Sequence, residues 1–453
     1  MVTKTMSAAN LGNAGFKQKY GIKYAYLSGA MYRGIASKEL VVKMGKSNLM
    51  GYLGTAGMSL KDVEENIHYI QQHLSDGDSY GMNILSDLDH PAHEIATIEM
   101  YMKYGIRHIE AAAYIQVTLA IVLYRLKGVR KTSSGEIVCD NHILAKVSRP
   151  EVASIFMSPP PEKIVKQLLS EGKITPEQAE LAQYIPVSSE ICVEADSGGH
   201  TDMGIPTVIF PAMKELRDSM MQQFNYPGNI YIGLAGGIGA PESAAAAFVM
   251  GADFILTGSI NQCTVEAGTS DAVKDILQEI NVQDTDYAPA GDMFEIGAKV
   301  QVLKRGTFFS ARSNKLYALY MQYGGLDELP AATQKQLQQR YFKRSFDDIW
   351  NDVKNYLNAT DRSDHVALIE ANPKQKMARV FKWYFAYTTE LALRGETSDR
   401  VNFQVHSGPA LGSFNQWVKG TSIENWRSRH VDEIGEKLME ATAEHISSLS
   451  FFD

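Results

Sequence analysis

Short apolar runs alternate with amphipathic helical stretches between residues 21 and 261. Each run is rich in β-branched residues and stops at a glycine, serine or polar residue, a pattern typical of a buried strand rather than a helix. The runs begin at Ile22, Leu49, Tyr80, Arg107, His142, Ile191, Ile230 and Phe254. Eight strands that alternate with helices predict a parallel sheet closed into a TIM (β/α)8 barrel.

The alternation stops after Thr269, and no strand pattern is evident over 314–394. We expect a helix around Met293–Val300 and then an appended all-helical subdomain with an aromatic core. The expected division is a loosely docked leader over 1–20, the barrel over 21–310, a helical subdomain over 311–400 and a segment over 401–453 that packs on the barrel. The subdomain would serve as a lid or as a docking surface.

Composition and charge narrow the class of protein. The 453 residues carry a net charge of −8, which argues against nucleic acid as the main partner. The three cysteines have no metal-ligand spacing and suit a reducing cytosol, so we expect no metal site. The polar stretch 1–15 lacks the apolar centre of a signal peptide, and no apolar run is long enough to span a membrane. We therefore expect a cytoplasmic protein.

The last three strands end at glycine-containing turns, Gly198-Gly199, Gly236-Gly237 and Gly258-Ser259. Glycine allows positive φ angles and brings backbone N–H groups close to an oxyanion. A helix with Pro241 at its first position follows the second turn, and a helix N-terminus favours phosphate. The alternative is a set of tight turns without a ligand. Neither a dinucleotide fingerprint nor a Walker loop is present, so the pattern favours a mononucleotide or a sugar phosphate.

The carboxyl ends of barrel strands meet at one rim, so residues at these ends are expected to form one site. Small residues after the first two strands leave room for a flat ring, and Asn83 and Lys146 can hydrogen-bond its polar edge. These features suit flavin mononucleotide (FMN). The candidate cofactor-binding residues are Gly29, Ala30, Met31, Gly54, Thr55, Asn83, Lys146, Ser148, Gly198, Gly199, Gly236, Gly237, Gly258 and Ser259.

Several motifs resemble a known family. Asp196–His200 and Ala235–Ile238 are similar to motifs of the nitronate monooxygenase and 2-nitropropane dioxygenase superfamily. Ala288–Glu295, Tyr341–Phe346 and Gly408–Trp417 resemble the PfaD-type enoyl reductases, which act in trans on polyketide and polyunsaturated fatty acid synthases. The similarity extends over essentially the whole chain.

The resemblance implies FMN, NADPH as hydride donor, and a 2-enoyl thioester presented by an acyl carrier protein. It implies that His200 donates a proton or orients the substrate, and that Lys146 contacts the N1/O2 edge of the flavin. The alternatives are that His200 caps the following helix and that Lys146 forms a salt bridge at the strand end. Two alternatives remain for Glu110: its side chain faces the barrel mouth, or it only forms a pair in the neighbourhood of Arg107.

Two other functions stay open at this point. A nitronate monooxygenase would use the same flavin and His200 but pass electrons to oxygen, and a synthase scaffold would keep an unused flavin site. Basic residues of the helical subdomain predict a carrier-protein docking patch, with a solvated helix face as the alternative. They are Lys335, Arg340, Lys343, Arg344, Lys374, Lys376, Arg379 and Lys382. The chain is compatible with a homodimer.

Overall fold

The computed structural model describes residues 6–88, 90–359 and 363–449. The first five residues of the expected leader and the last four of the expected C-terminal segment lie outside this part. The contacts divide the chain into two compact units. The first runs up to Ser197 and adds Asp202–Gly268 and the chain from Ser413, and the second contains Gly198–Thr201 and Thr269–Gly412. The division therefore falls at other residues than the expected 310 and 400.

The strands of the described chain fall into a barrel, a three-stranded sheet and a hairpin. In chain order they are β1 Tyr26–Ser28, β2 Met50–Leu53, β3 Gly81–Leu85, β4 His108–Ala112, β5 Val129–Lys131, β6 Ile137–Cys139, β7 His142–Val147, β8 Glu190–Glu194, β9 Gly199–Thr201, β10 Tyr231–Ala235, β11 Phe254–Thr257, β12 Thr285–Pro289 and β13 Lys299–Leu303. Strands β1, β2, β3, β4, β7, β8, β10 and β11 pair in parallel and close on themselves. The predicted TIM barrel is thus confirmed.

Helices follow the strands around the barrel. They are α1 Ala14–Tyr20, α2 Lys38–Lys46, α3 Leu60–His73, α4 Pro91–Lys103, α5 Leu119–Lys127, α6 Pro150–Met157, α7 Glu162–Ser170, α8 Pro176–Leu181, α9 Pro206–Phe224, α10 Pro241–Val249 and α11 Ser259–Gln262. Ser59 caps α3 as the sequence predicts, with its Oγ accepting from the Asp62 N–H. Such caps satisfy N–H groups that have no partner within the helix.

The expectation of a loosely docked leader is wrong for residues 6–20. Helix α1 closes the amino-terminal end of the barrel, where Phe16 and Tyr20 are buried in one apolar cluster with Leu27 and Phe254. The Phe16 and Phe254 rings stack with their centroids 4.3 Å apart. Burial of two aromatic side chains stabilises this docking by several kcal/mol, on the order of 2 kcal/mol each.

The second unit interrupts the barrel in sequence. Between β11 and the last helix of the first unit the chain forms α12 Asp271–Leu277, α13 Phe309–Gln322, α14 Ala331–Gln336, α15 Phe346–Ala359, α16 Asp364–Glu370, α17 Pro373–Arg394 and α18 Pro409–Trp417. Helix α19, Val431–Ser448, then packs against α10 and α2. It also lies on β1, since a Cβ at Gly435 would meet the Tyr26 ring at 2.6 Å. The eighth helical position is therefore filled by α19.

The second unit combines a small sheet with helices. Strand β13 pairs antiparallel with both β12 and β9. The predicted helix around Met293–Val300 is therefore wrong: residues 300–303 are buried in a strand, and one of its two partners, β9, lies far away in sequence. Helix α17 supplies Phe381, Tyr384 and Phe385 to the unit's apolar core, which confirms the predicted aromatic core.

Among the described residues, none of the helices combines the length and apolar character that crossing a membrane requires.

Candidate active site at the carboxyl end of the barrel

Lys146 lies inside the barrel near the carboxyl end of β7, between two carboxylates. Its Nζ is 3.0 Å from Glu194 Oε1 and 3.7 Å from Glu110 Oε1. The three strands that carry these residues are neighbours in the order β4, β7, β8, so their side chains converge on one point. The lysine side chain is 13% exposed, and Glu110 is fully enclosed. The salt-bridge alternative for Lys146 is thus what the structure contains.

The ionisation of this triad follows from burial and pairing. Burial alone would lower the pKa of Lys146, but the carboxylates of Glu194 and Glu110 outweigh it and raise that pKa. Burial raises the pKa of Glu110, against the opposing effect of Lys146. Lys146 is therefore a cation over the whole physiological range, while the raised pKa of Glu110 makes this carboxyl easier to protonate than an ordinary glutamate.

Glu110 is oriented by the backbone of the first rim loop. Its Oε2 accepts a hydrogen bond from the Ala30 N–H at 3.0 Å. Its Oε1 is buried and has no hydrogen-bond partner among the described residues. A buried polar atom without a partner is costly, and it marks a place where a ligand donor or acceptor fits. Of the two alternatives for Glu110, the structure shows it facing the barrel interior, and Arg107 bonds Asn141 instead.

Asn83 on β3 and Thr55 in the loop after β2 form a buried polar pair. The Asn83 side-chain amide donates to the Glu110 carbonyl at 3.1 Å. The main-chain carbonyl of Asn83 accepts hydrogen bonds from Thr55 Oγ1 and from the Tyr101 hydroxyl, each at 2.7 Å. The Asn83 side-chain amide is therefore held in place by β4, and its oxygen and second N–H are the groups that could contact a ring edge.

The candidate glycines divide into two classes. A Cβ at Gly54 would lie 1.6 Å from the Met31 carbonyl oxygen, and one at Gly29 would lie 2.5 Å from the Leu256 side chain. These two glycines are required by chain packing. A Cβ at Gly237 or Gly258 would meet nothing within 4 Å, so the backbone there borders open space.

Contacts within the first unit explain why glycine occurs at position 236 and serine at position 148. Gly236 has φ +90°, and its Cβ would lie 2.6 Å from the Ala195 carbonyl oxygen, so both conformation and packing exclude a side chain. Ser148 Oγ donates to Asp202 Oδ2 at 2.5 Å, and Arg149 holds the same carboxylate. Hydrogen bonds from Arg149 and Ser148 lower the pKa of Asp202.

These residues fit a flavin nucleotide. The open backbone at Gly237 and Gly258 allows a phosphate to approach the N–H groups that precede α10 and α11. Ser259 is the first residue of α11. Lys146 and Glu110 Oε1, which has no hydrogen bond among the described residues, supply one cationic donor and one acceptor inside the same barrel mouth. Within the described part of the chain, no cluster of side chains has the composition of a metal site.

His200, Gly198 and Gly199 belong to the second compact unit. His200 lies on β9, and its Nε2 is 2.9 Å from Asp292 Oδ1. His406 lies close by, because Val302 bridges to it and a Cβ at Gly199 would be 3.7 Å from its Nδ1. Burial lowers the pKa of His406 to about 4. Burial raises the pKa of Asp292, but the hydrogen bond and charge of His200 together with backbone N–H groups outweigh it, and the net shift is downward.

The alternative that His200 caps the following helix is wrong. Helix α9 begins at Pro206 with Ile205 at the cap position, and no side chain bonds its first N–H groups. The carboxylate of Asp292 instead contacts Nε2 of His200 and so fixes the orientation of the ring.

Sequence reasoning missed Glu194, Asp292 and His406. Glu194 had a usable signal, since it follows Cys192 by two residues and therefore shares its interior face. Asp292 lies inside the motif Ala288–Glu295, but no local pattern places it beside His200. His406 had no signal, since the bridge that holds it joins residues 302 and 406.

Comparison with known proteins adds close relatives. The crystal structure of the enoyl reductase domain of MlnA from Bacillus amyloliquefaciens superposes with a TM-score of 0.93 at 46% identity, covering 97% of this chain and 98% of that one. Polyketide biosynthesis protein PksE of Bacillus subtilis is 55% identical over 97% of this chain. A polyunsaturated fatty acid synthase subunit of Thraustochytrium sp. is 37% identical over 93% of it. The chain covers 57% of PksE and 28% of the Thraustochytrium protein.

Two more distant similarities concern the fold and the second unit. FabK of Thermotoga maritima has a TM-score of 0.55 at 14% identity, which shows a shared fold. The family model for the inserted helical domain of acyl-carrier-protein S-malonyltransferase matches residues 323–403. That match covers most of the helical part of the second unit.

Proposed function

This chain belongs to the family of PfaD-type enoyl reductases, and from that premise we propose that it is a flavin-dependent enoyl reductase. The proposed reaction reduces the 2,3-double bond of an enoyl thioester on an acyl carrier protein. FMN is the proposed flavin and NADPH the proposed hydride donor. The pathway is polyketide or polyunsaturated fatty acid biosynthesis.

The observation that carries this proposal is the match to the MlnA enoyl reductase domain, 46% identical over 98% of that domain. At this identity and coverage the barrel and the second unit are shared as whole structures, not as isolated motifs. Bound FMN would supply hydride transfer from NADPH to the β-carbon of the enoyl thioester.

Lys146 is proposed to stabilise negative charge at the flavin's N1/O2 edge. It is a buried cation whose charge is maintained by Glu194 and Glu110, so its electrostatic effect is not weakened by water. Glu110 is proposed to accept a hydrogen bond through Oε1, which has no hydrogen-bond partner among the described residues. Asn83 holds β3 against β4 beside it.

The turns at Gly236-Gly237 and Gly258-Ser259 are proposed to bind the FMN phosphate. Gly237 and Gly258 border open space, which supports close approach of a phosphate to their backbone. Ala30, Met31 and Thr55 form the small-residue side of the ring site in this proposal. Gly29 and Gly54 contribute to the proposed site by allowing the rim loops to pack closely. Ser148 contributes through its hydrogen bond to Asp202.

His200 is proposed to donate the proton to the α-carbon or to orient the thioester carbonyl, with Gly198 and Gly199 giving its strand the required backbone path. Its hydrogen bond to Asp292 holds the ring in place. Buried His406 is neutral at physiological pH, so it does not compete as a proton donor.

An acyl carrier protein is the proposed partner. PksE is named for polyketide biosynthesis, and the Thraustochytrium relative is named as part of a polyunsaturated fatty acid synthase. The family model over 323–403 bears the name of an enzyme that acts on acyl carrier protein. These names support the partner for this chain without identifying the acyl group.

Anaerobic spectroscopy of the purified full chain tests the function. We expect a flavin spectrum that NADPH bleaches within seconds and that a 2-enoyl carrier-protein thioester restores. Bleaching by a nitronate but not by NADPH would replace the proposal with a nitronate monooxygenase. Failure to bind FMN after reconstitution would indicate a scaffold with an unused site.

A further inference from the structure

The basic residues of the helical part of the second unit differ in what they contact. Lys382 Nζ is 2.9 Å from Glu295 Oε2, and Lys374 donates to the Tyr323 carbonyl at 2.6 Å. Lys376 lies 5.6 Å from the centre of the Trp350 ring. These cations hold α17 against its neighbours, so they are parts of the unit's internal structure.

Lys343 and Arg344 are also engaged. Lys343 Nζ is 2.8 Å from Asp399 Oδ1, and Asp399 is buried. Arg344 pairs with Asp352 and lies 5.7 Å from the centre of the Trp383 ring. Their charge reaches the surface, but their positions are fixed by these partners.

Lys335 and Arg340 are exposed, and neither is joined to a carboxylate within the described residues 6–88, 90–359 and 363–449. Both line one surface groove together with Gln336 and Gln339. Lys335 and Gln339 also line an adjoining open groove of about 640 Å³ that continues to Lys343 and Arg344. The four cations therefore border one continuous surface, which we call the 331–345 groove.

A π-helical turn shapes this surface. The segment Leu337–Tyr341 is π-helical, and the Phe342 N–H bonds the Leu337 carbonyl at 2.9 Å. The wider turn buries Tyr341 and Phe342 in succession while Gln339 and Arg340 stay exposed. Such turns are rare and occur often at functional sites.

The charge of the groove is the reverse of the chain's. Residues 331–345 contain four basic side chains and no acidic one, whereas the whole chain has a net charge of −8. A merely solvated helix usually mixes both signs, as α15 does with Asp347, Asp348 and Lys354. A cluster of basic side chains on an acidic protein favours an acidic partner by charge complementarity.

We propose that the 331–345 groove is the docking surface for the acidic face of the acyl carrier protein that delivers the enoyl thioester. This inference rests on the proposed function, and the family match over 323–403 supports it. Lys335 and Arg340 provide the steering charge, while Lys343 and Arg344 form a fixed edge of the same surface.

Kinetics on two substrates test the docking surface. The variant Lys335→Glu with Arg340→Glu is compared with the wild-type holoenzyme on an enoyl carrier-protein thioester and on the same enoyl group as an N-acetylcysteamine thioester. We expect KM for the carrier-bound substrate to rise about tenfold, with kcat and the small-substrate kinetics unchanged. The rise should shrink at high salt.

The matched control is Lys304→Glu with Lys315→Glu, two exposed cations of the same unit outside the groove. It should leave both substrates unchanged, and equal melting temperatures should show that both variants are folded. An equal KM for the two double variants would overturn the docking surface while leaving the reductase intact. A wild-type enzyme inactive on both substrates would instead refute the proposed function. A change of oligomeric state in Lys335→Glu with Arg340→Glu would assign the groove to a second copy of the chain and overturn the proposal.

Discussion

The two ends of the barrel are built from the same three strands but contain different chemistry. At the carboxyl end, Lys146 pairs with Glu194, and the turns at Gly237 and Gly258 on the same rim border open space. At the amino end, helix α1 places Lys19 against Glu190, whose side chain is fully buried. We call the carboxyl end, where these turns border open space, the open end, and the amino end, which α1 closes with Phe16 and Tyr20, the sealed end.

The side chains that alternate along each strand explain how one strand contributes a charged residue to both ends of the barrel. Along β8, Glu190, Cys192 and Glu194 share the interior face, so a thiol layer separates two carboxylates. Along β7, His142 and Lys146 flank buried Leu144 in the same way. Residues near the strand ends differ in role because of what covers them, which agrees with the general separation of catalysis and stability in such barrels.

Removing the cation at the open end should have the largest effect. Lys146→Met takes away the charge proposed to stabilise the reduced flavin, so we expect kcat for enoyl reduction to fall by about 100-fold. Steady-state kinetics with an N-acetylcysteamine enoyl thioester would measure it. The control is Lys19→Met, the equivalent change at the sealed end, which should leave kcat per folded molecule unchanged. Equal losses in the two variants would refute the division of roles.

Removing the cation at the sealed end should lower the stability of the fold. Lys19→Met leaves Glu190 buried without its ion pair, and we expect the free energy of unfolding to fall by roughly 3 kcal/mol. Urea unfolding followed by circular dichroism would measure it. The double variant Lys19→Met with Glu190→Gln removes both charges and should regain most of the loss. If the double variant is no more stable than the single one, the charge pair is not the cause.

The barrel and its open end were accessible from the sequence because each depends on local pattern. Short β-branched runs ending at glycine identify strands, and the carboxyl ends of those strands must converge. The sealed end was missed because α1 is a seven-residue helix whose burial of Phe16 and Tyr20 has no local signature. The second unit's sheet was missed because β9 and β13 pair across about 100 residues of chain.

Acid should weaken the sealed end in particular. Burial lowers the pKa of His108 and of His142 well below the usual value. Below about pH 6.5 the unfolded chain then binds protons that the folded barrel does not, so stability falls by up to about 1.4 kcal/mol per pH unit for each histidine. The raised pKa of Glu110 at the open end acts in the opposite sense, since the folded state there binds the additional proton.

Urea midpoints at pH 7.5 and 5.5 would measure this loss. In the variant His108→Gln with His142→Gln the decrease between the two pH values should become smaller, because the neutral amides do not titrate. A decrease of the same size in the variant would place the acid-sensitive groups elsewhere.

The smallest expected effects come from replacing two glycines, one at each end of the barrel. Gly258 follows β11 at the open end and Gly228 precedes β10 at the opposite end, and a Cβ at either would meet nothing within 4 Å. Neither has a positive φ, so Gly258→Ala and Gly228→Ala should each change the free energy of unfolding by less than about 0.5 kcal/mol. A methyl group at Gly258 would nevertheless obstruct a phosphate, and FMN should bind about tenfold more weakly there, as the loss of one charge-assisted hydrogen bond predicts. Fluorescence titration of the apoprotein with FMN separates the outcomes: equal affinity in both variants would mean that the Gly258 turn is only a turn.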